Sequence, residues 1–114
     1  MKGNLKYEVV EGWEHLPRGY THRHAVGVAV DQDDRVYVIT RCDSRVIIFE
    51  RDGTYIGSWG EDVFTLRTHC IRIGPDGSVY TVDDGDHTVR KFTPDAWKIM
   101  VRIIMMHGRI ANAC

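Results

Sequence analysis

Cysteine is scarce in this chain of 114 residues: Cys42, Cys70 and Cys114 are an odd number, widely spaced, with no Cys-x-x-Cys pair. That pattern suggests neither a disulfide framework nor a cysteine zinc ribbon, and the three are expected to be free thiols. No run of eighteen apolar residues exists, so no transmembrane helix is expected. The first ten residues hold Lys2 and Lys6 but no apolar stretch of secretory-signal length, so a cytoplasmic location is the default expectation. Neither sign of charge dominates, with 15 Lys and Arg against 16 Asp and Glu, which points away from nucleic-acid and membrane partners. Gly-x-Ser-x-Gly, P-loop, Rossmann and His-Glu-x-x-His motifs are all missing, removing the hydrolase-elbow, nucleotide and zincin readings.

What the chain does have is a folding composition, 43% hydrophobic and 27% charged, and an internal repeat. An ungapped offset of 43 places Val28 over Ile71, Asp33 over Asp76, Val36 over Val79, Tyr37 over Tyr80, Asp43 over Asp86, Val46 over Val89, Phe49 over Phe92, Asp52 over Asp95 and Ile56 over Ile99. In the first unit, strands are expected at 26–30, 35–40, 45–50 and 54–59. The second repeats them at 70–73, 78–82 and 88–93. Turns such as Asp52-Gly53 and Pro75-Asp76-Gly77 separate them, Asp-Gly supplying the positive φ of tight hairpins. Four short antiparallel strands every 43 residues, rich in Val, Ile and Tyr, make an all-β fold with the arithmetic of β-propeller blades.

Two blades do not close a ring, since propellers typically use about 4 to 8. The chain therefore reads as a partial β-propeller: a lead-in at 1–23, blade units at 24–63 and 64–95, and a divergent tail at 96–114. Residues 6–10, Lys6-Tyr7-Glu8-Val9-Val10, fit an outer strand completing a blade outside this chain. The tail loses the turn glycine of Asp52-Gly53 and the closing Gly60. It reads as a fourth strand or a short helix around Trp97, Ile99 and Met100, and the change of register also suits a truncated or frame-shifted end.

The blocks Gly27-Val28-Ala29-Val30-Asp31 and Val79-Tyr80-Thr81-Val82-Asp83-Asp84-Gly85-Asp86-His87-Thr88-Val89-Arg90-Lys91-Phe92, with Pro94-Asp95, resemble the NHL-repeat family of β-propellers. Within that family the likeness, over roughly residues 12–95, is greatest to six-bladed propellers similar to the peptidyl-α-hydroxyglycine α-amidating lyases. The resemblance implies roles for four positions. Arg41, in Arg41-Cys42-Asp43-Ser44, would anchor a substrate carboxylate, and His69, in Thr68-His69-Cys70-Ile71, would be one of three histidine ligands of a catalytic zinc. Backbone carbonyls of Val28 and Ile71 would hold a structural calcium. Departures accompany these matches: Cys42 and Cys70 stand where glycines are usual, and Thr68 replaces a proline. The lyases' other two zinc histidines and their catalytic tyrosine would lie on other blades.

Plainer readings compete at each position. Arg41 could be a surface arginine paired with Asp43 or Asp84, and a lone strand histidine is more often hydrogen-bonded structure than a ligand. His22 and His24 would share one face of an extended segment, a metal pair or simply a solvated loop. Asp31, Asp33 and Asp34 lack the glycine and glutamate of a calcium loop and read as a hairpin turn, as do Asp83, Asp84 and Asp86. Three functions are expected from the sequence: a lyase-like propeller, a non-catalytic module binding a protein, peptide or small molecule, or copies of the chain closing a ring together.

Overall fold

The structure is a computed structural model that describes residues 5–41, 43 and 45–94, together with the backbone of 100–105. Among the described residues, eight strands form two antiparallel four-stranded sheets in simple meander order. The first blade holds β1 (Ala25–Val30), β2 (Val36–Thr40), β3 (Val46–Phe49) and β4 (Tyr55–Trp59). The second holds β5 (Thr68–Ile73), β6 (Val79–Asp83), β7 (Thr88–Phe92) and β8 (Met100–Met105). The offset of 43 relates β1 to β5 and β2 to β6 residue for residue.

The offset fails at the last strand. Val46 lies opposite Trp59 and Phe49 opposite Tyr55, whereas Val89 lies opposite Ile104 and Phe92 opposite Met100. The connection before β8 is thus two residues longer than that before β4, and the pairing of Ile56 with a residue 43 positions on is lost. Asp95, Trp97 and Ile99 lie outside the described residues, as do Cys42, Ser44 and Cys114. Residues 100–105 form a strand, the first of the two alternatives for the tail.

Alternation within the strands builds the core between the blades. Gly27, Ala29, Tyr37, Ile39, Val46, Ile48 and Trp59 share one face of the first blade, which packs against Ile71, Val79 and Phe92 of the second. Phe64, from the connecting segment, closes an aromatic cluster, with centroid distances of 4.5 Å for Trp59–Phe92 and 5.6 Å for Trp59–Phe64. Gly60 makes room for it, because with φ at 99° a Cβ there would lie 2.2 Å from Phe64 Cε2. Gly27 is small for a different reason: a Cβ would come within 3.1 Å of Ile39 Cγ2 and 3.3 Å of the Ile71 amide, so its absence sets how closely the blades approach.

The lead-in covers the outer half of the first blade's opposite face. Trp13 packs on Phe49 and donates Nε1–H to Arg51 O at 2.9 Å, while Tyr20 sits edge-on to Tyr55 beneath the Arg45 guanidinium. The inner half stays open, leaving Val28 59% and Val30 56% exposed beside a cavity of about 460 Å³. Residues 5–10 form no strand, and Tyr7 and Val9 are almost fully exposed. The strand expected there was to complete a blade outside this chain, and each of the two sheets already has its four strands without it.

Candidate functional site

Two structural accidents of the repeat bring Arg41 and His69 together. Arg41 directly follows β2, where its amide donates to His24 O at 3.0 Å and holds the chain end against the start of β1. His69 is the extra residue of a β-bulge: Thr68 pairs with Asp83 and Cys70 with Val82, leaving His69 without a cross-strand partner. Bulges of this kind re-aim a side chain. The first blade has the same bulge between Ala25 and Gly27, where Val26 occupies the equivalent position. Only the second blade uses it to display an imidazole, and that imidazole is exposed.

Arg41 spans the two blades. Its Nε donates to Thr68 O at 3.2 Å, and its Nη2 lies 3.3 Å from His69 Nδ1. A guanidinium has donors and no acceptor, so this hydrogen bond requires Nδ1 to accept, which places the imidazole proton on Nε2. A guanidinium beside an imidazole N–H is a combination of the kind that binds carboxylates. Beside it, Arg67 bonds Asp84 at 2.5 Å, and that guanidinium holds the Asp84 carboxyl below the usual range, with His87 and His69 adding to the effect. Asp84 is thus engaged by Arg67, and Asp43 accepts from Thr21 Oγ1 at 3.1 Å.

Among the described residues no group of three His, Cys, Asp or Glu converges as a metal site, and the other two zinc histidines that the resemblance implies would lie on other blades. For calcium, the ladder phase is informative. Asp31 N donates to Arg35 O and Gly74 N to Ser78 O, which makes Val28–Val38 and Ile71–Thr81 non-hydrogen-bonded pairs. The carbonyls of Val28 and Ile71 therefore turn away from β2 and β6 toward the open edges of the two inner strands.

Other expectations are corrected. Cys70 is disulfide-bonded rather than a free thiol, its partner lying outside the described residues. His22 and His24 do not share a face of an extended segment, because His24 has φ at 55° and sits in a turn, and His22 Nδ1 pairs with Glu14 at 2.6 Å. Asp31 is the hairpin residue expected, accepting from the amides of Asp33 and Arg35, but it also binds the Arg35 guanidinium and the Tyr37 hydroxyl. Asp83 is more than a turn residue. It is fully buried and accepts from Thr65 N, Thr65 Oγ1, Gly85 N and Arg90. The sequence signal for it, Asp83 opposite Thr88 with Arg90 two residues further, is legible only once the strand register is known.

No family model and no curated protein sequence matches the chain. Solved structures do. A catalytically inactive virginiamycin B lyase from Staphylococcus aureus, in complex with quinupristin, is 14% identical with a TM-score of 0.62, covering 75% of this chain and 28% of its own. A luciferin-regenerating enzyme is 14% identical with a TM-score of 0.57, covering 73% and 30%. YCF48 bound to a D1 peptide is 12% identical with a TM-score of 0.59, covering 76% and 28%. These are β-propeller proteins, and the chain spans less than a third of the length of each. At such identities the likeness is one of fold: two blades of a β-propeller.

Proposed function

We propose that the chain is two consecutive blades of an NHL-type, six-bladed propeller, and that Arg41 with His69 forms the carboxylate-binding corner of its ligand site. The observation that carries this reading is the Arg41 Nη2 to His69 Nδ1 contact at 3.3 Å, made across the blade boundary on an exposed bulge. Thr68 O holds the guanidinium against the second blade, beside the exposed His69 imidazole, and a guanidinium next to an imidazole is chemistry that suits a carboxylate. A propeller similar to the amidating lyases would use such a corner to hold the free carboxylate of a peptidyl-α-hydroxyglycine. Zinc, in that reading, depends on ligands that the described residues do not assemble, and calcium on the outward-turned carbonyls of Val28 and Ile71.

The test uses hippurate, which carries a glycine carboxylate on a peptide-like amide, and its uncharged amide as control. Isothermal titration should show hippurate binding and no binding of the control. Arg41→Ala should weaken hippurate by about tenfold or more, the loss of a charge-assisted hydrogen bond, and His69→Ala by less. Equal affinity for the two ligands, or an unchanged affinity in Arg41→Ala, would sink the carboxylate reading. Elemental analysis of the purified protein and of His69→Ala decides the metal part separately.

A further inference from the structure

The repeat puts opposite charges at one position of the two blades. Arg41 directly follows β2 and Asp84 directly follows β6, 43 residues apart. Their backbones are fixed alike: Arg41 N donates to His24 O at 3.0 Å, and Asp84 N to Arg67 O at 3.4 Å. Their side chains then diverge. Arg41 reaches forward to Thr68 O and His69 of the second blade, whereas Asp84 is drawn back onto its own blade, where its Oδ2 accepts from Arg67 at 2.5 Å. The Asp84 side chain is 36% exposed, and its Oδ1 accepts no hydrogen bond among the described residues.

The bond from Asp84 N to Arg67 O bounds the Thr68–Asp83 pair, which makes that pair non-hydrogen-bonded and turns Thr68 O away from β6. Arg41 therefore lies on one side of the start of β5 and Asp84 on the other, with the exposed His69 bulge between them. One strand spacing and the 3.2 Å Arg41 bond put roughly 8 Å between the guanidinium and the strand end that carries Asp84. Propeller blades pack through their faces, so this end of the strands stays open however many blades follow.

We propose that Asp84 is a second anchor of the same site, and that the ligand is a dipeptide-length molecule carrying a free amino group as well as a free carboxylate. This narrows the carboxylate-binding reading of Arg41 and His69, on which it rests. A ligand with a carboxylate alone meets a like charge at Asp84, whereas an ammonium meets an acceptor there. Two extended residues span at most about 7 Å, close to the separation of the anchors, and a single amino acid is about half as long. Arg67 is the positioning residue, because by holding Oδ2 it fixes the carboxylate and leaves Oδ1 for the ligand.

The test compares glycylglycine with N-acetylglycylglycine by isothermal titration at neutral pH and low salt. The acetylated peptide keeps the carboxylate and loses the ammonium, so its binding reports the Arg41 and His69 corner alone. Glycylglycine should bind about fivefold or more tightly, and that ratio should shrink as ionic strength rises. Asp84→Asn should bring the ratio to about one, while Arg41→Ala should weaken both peptides. A ratio is unmoved by a fraction of unfolded protein, so a merely structural loss would leave it intact. Equal affinity for the two peptides, tighter binding of the acetylated one, or a preference that survives Asp84→Asn overturns the proposal and leaves the carboxylate corner standing. Binding of neither peptide overturns the carboxylate reading and this inference with it.

Discussion

Replacing Asp83 by alanine should cost about 3 kcal/mol of folding stability, and the reasoning starts from four hydrogen bonds. The carboxylate, with no exposed surface, accepts from Thr65 N at 2.7 Å, Thr65 Oγ1 at 2.5 Å, Gly85 N at 2.9 Å and Arg90 Nη1 at 3.3 Å. Its removal orphans these donors and leaves Arg90, itself only 5% exposed, with Asp86 as its remaining carboxylate partner. Breaking a buried pair from one side costs roughly 3–5 kcal/mol, and the surviving Asp86 contact puts the expectation at the low end. Against a total stability of about 5–15 kcal/mol that loss is large. Asp83→Asn, which keeps an acceptor but turns a donor toward other donors, should fall between, at about 1–2 kcal/mol.

Urea unfolding followed by tryptophan fluorescence measures both, and Asp83→Ala combined with Arg90→Met completes a double-mutant cycle. The double variant should be less destabilised than the sum of the single ones, because no charge is then left buried alone. A loss below about 1 kcal/mol in Asp83→Ala, or strict additivity, would refute the reasoning. The knot also bears on the ligand corner. Asp83 ties down Thr65, three residues before the Thr68 carbonyl that holds the Arg41 guanidinium, so Asp83→Ala should weaken hippurate binding as well.

Two further outcomes follow from the packing. Burial, reinforced by the Asp31 carboxylate beside it, pushes the Tyr37 phenol up to about 12. The unfolded chain loses that proton near pH 10 and the folded protein keeps it, so stability holds below about pH 10 and falls as pH rises toward 12. Tyr37→Phe should flatten the fall in urea midpoint over that window, and an identical decline would count against the assignment. Gly27→Val should lower the melting temperature through an overpacking cost of about 1–3 kcal/mol, because its Cβ would crowd Ile39 and the Ile71 amide between the blades. A melting temperature within experimental error of the parent would show that the blades separate without cost.

The sequence by itself determined the repeat, the strand order and most of the turns, because alternation and turn chemistry are local and recur in both units. Val36 with Val79 and Phe49 with Phe92 occupy equivalent places for that reason. It also singled out Arg41 and His69, though only through a family resemblance. Their contact was decided by tertiary structure: a bulge that turns His69 outward and a packing distance, set by Gly27, that lets Arg41 reach across to Thr68. The buried Asp83–Arg90 pair likewise exists only in the register of the sheet. Residues distant in sequence become neighbours through pairing, and pairing is a property of the folded sheet.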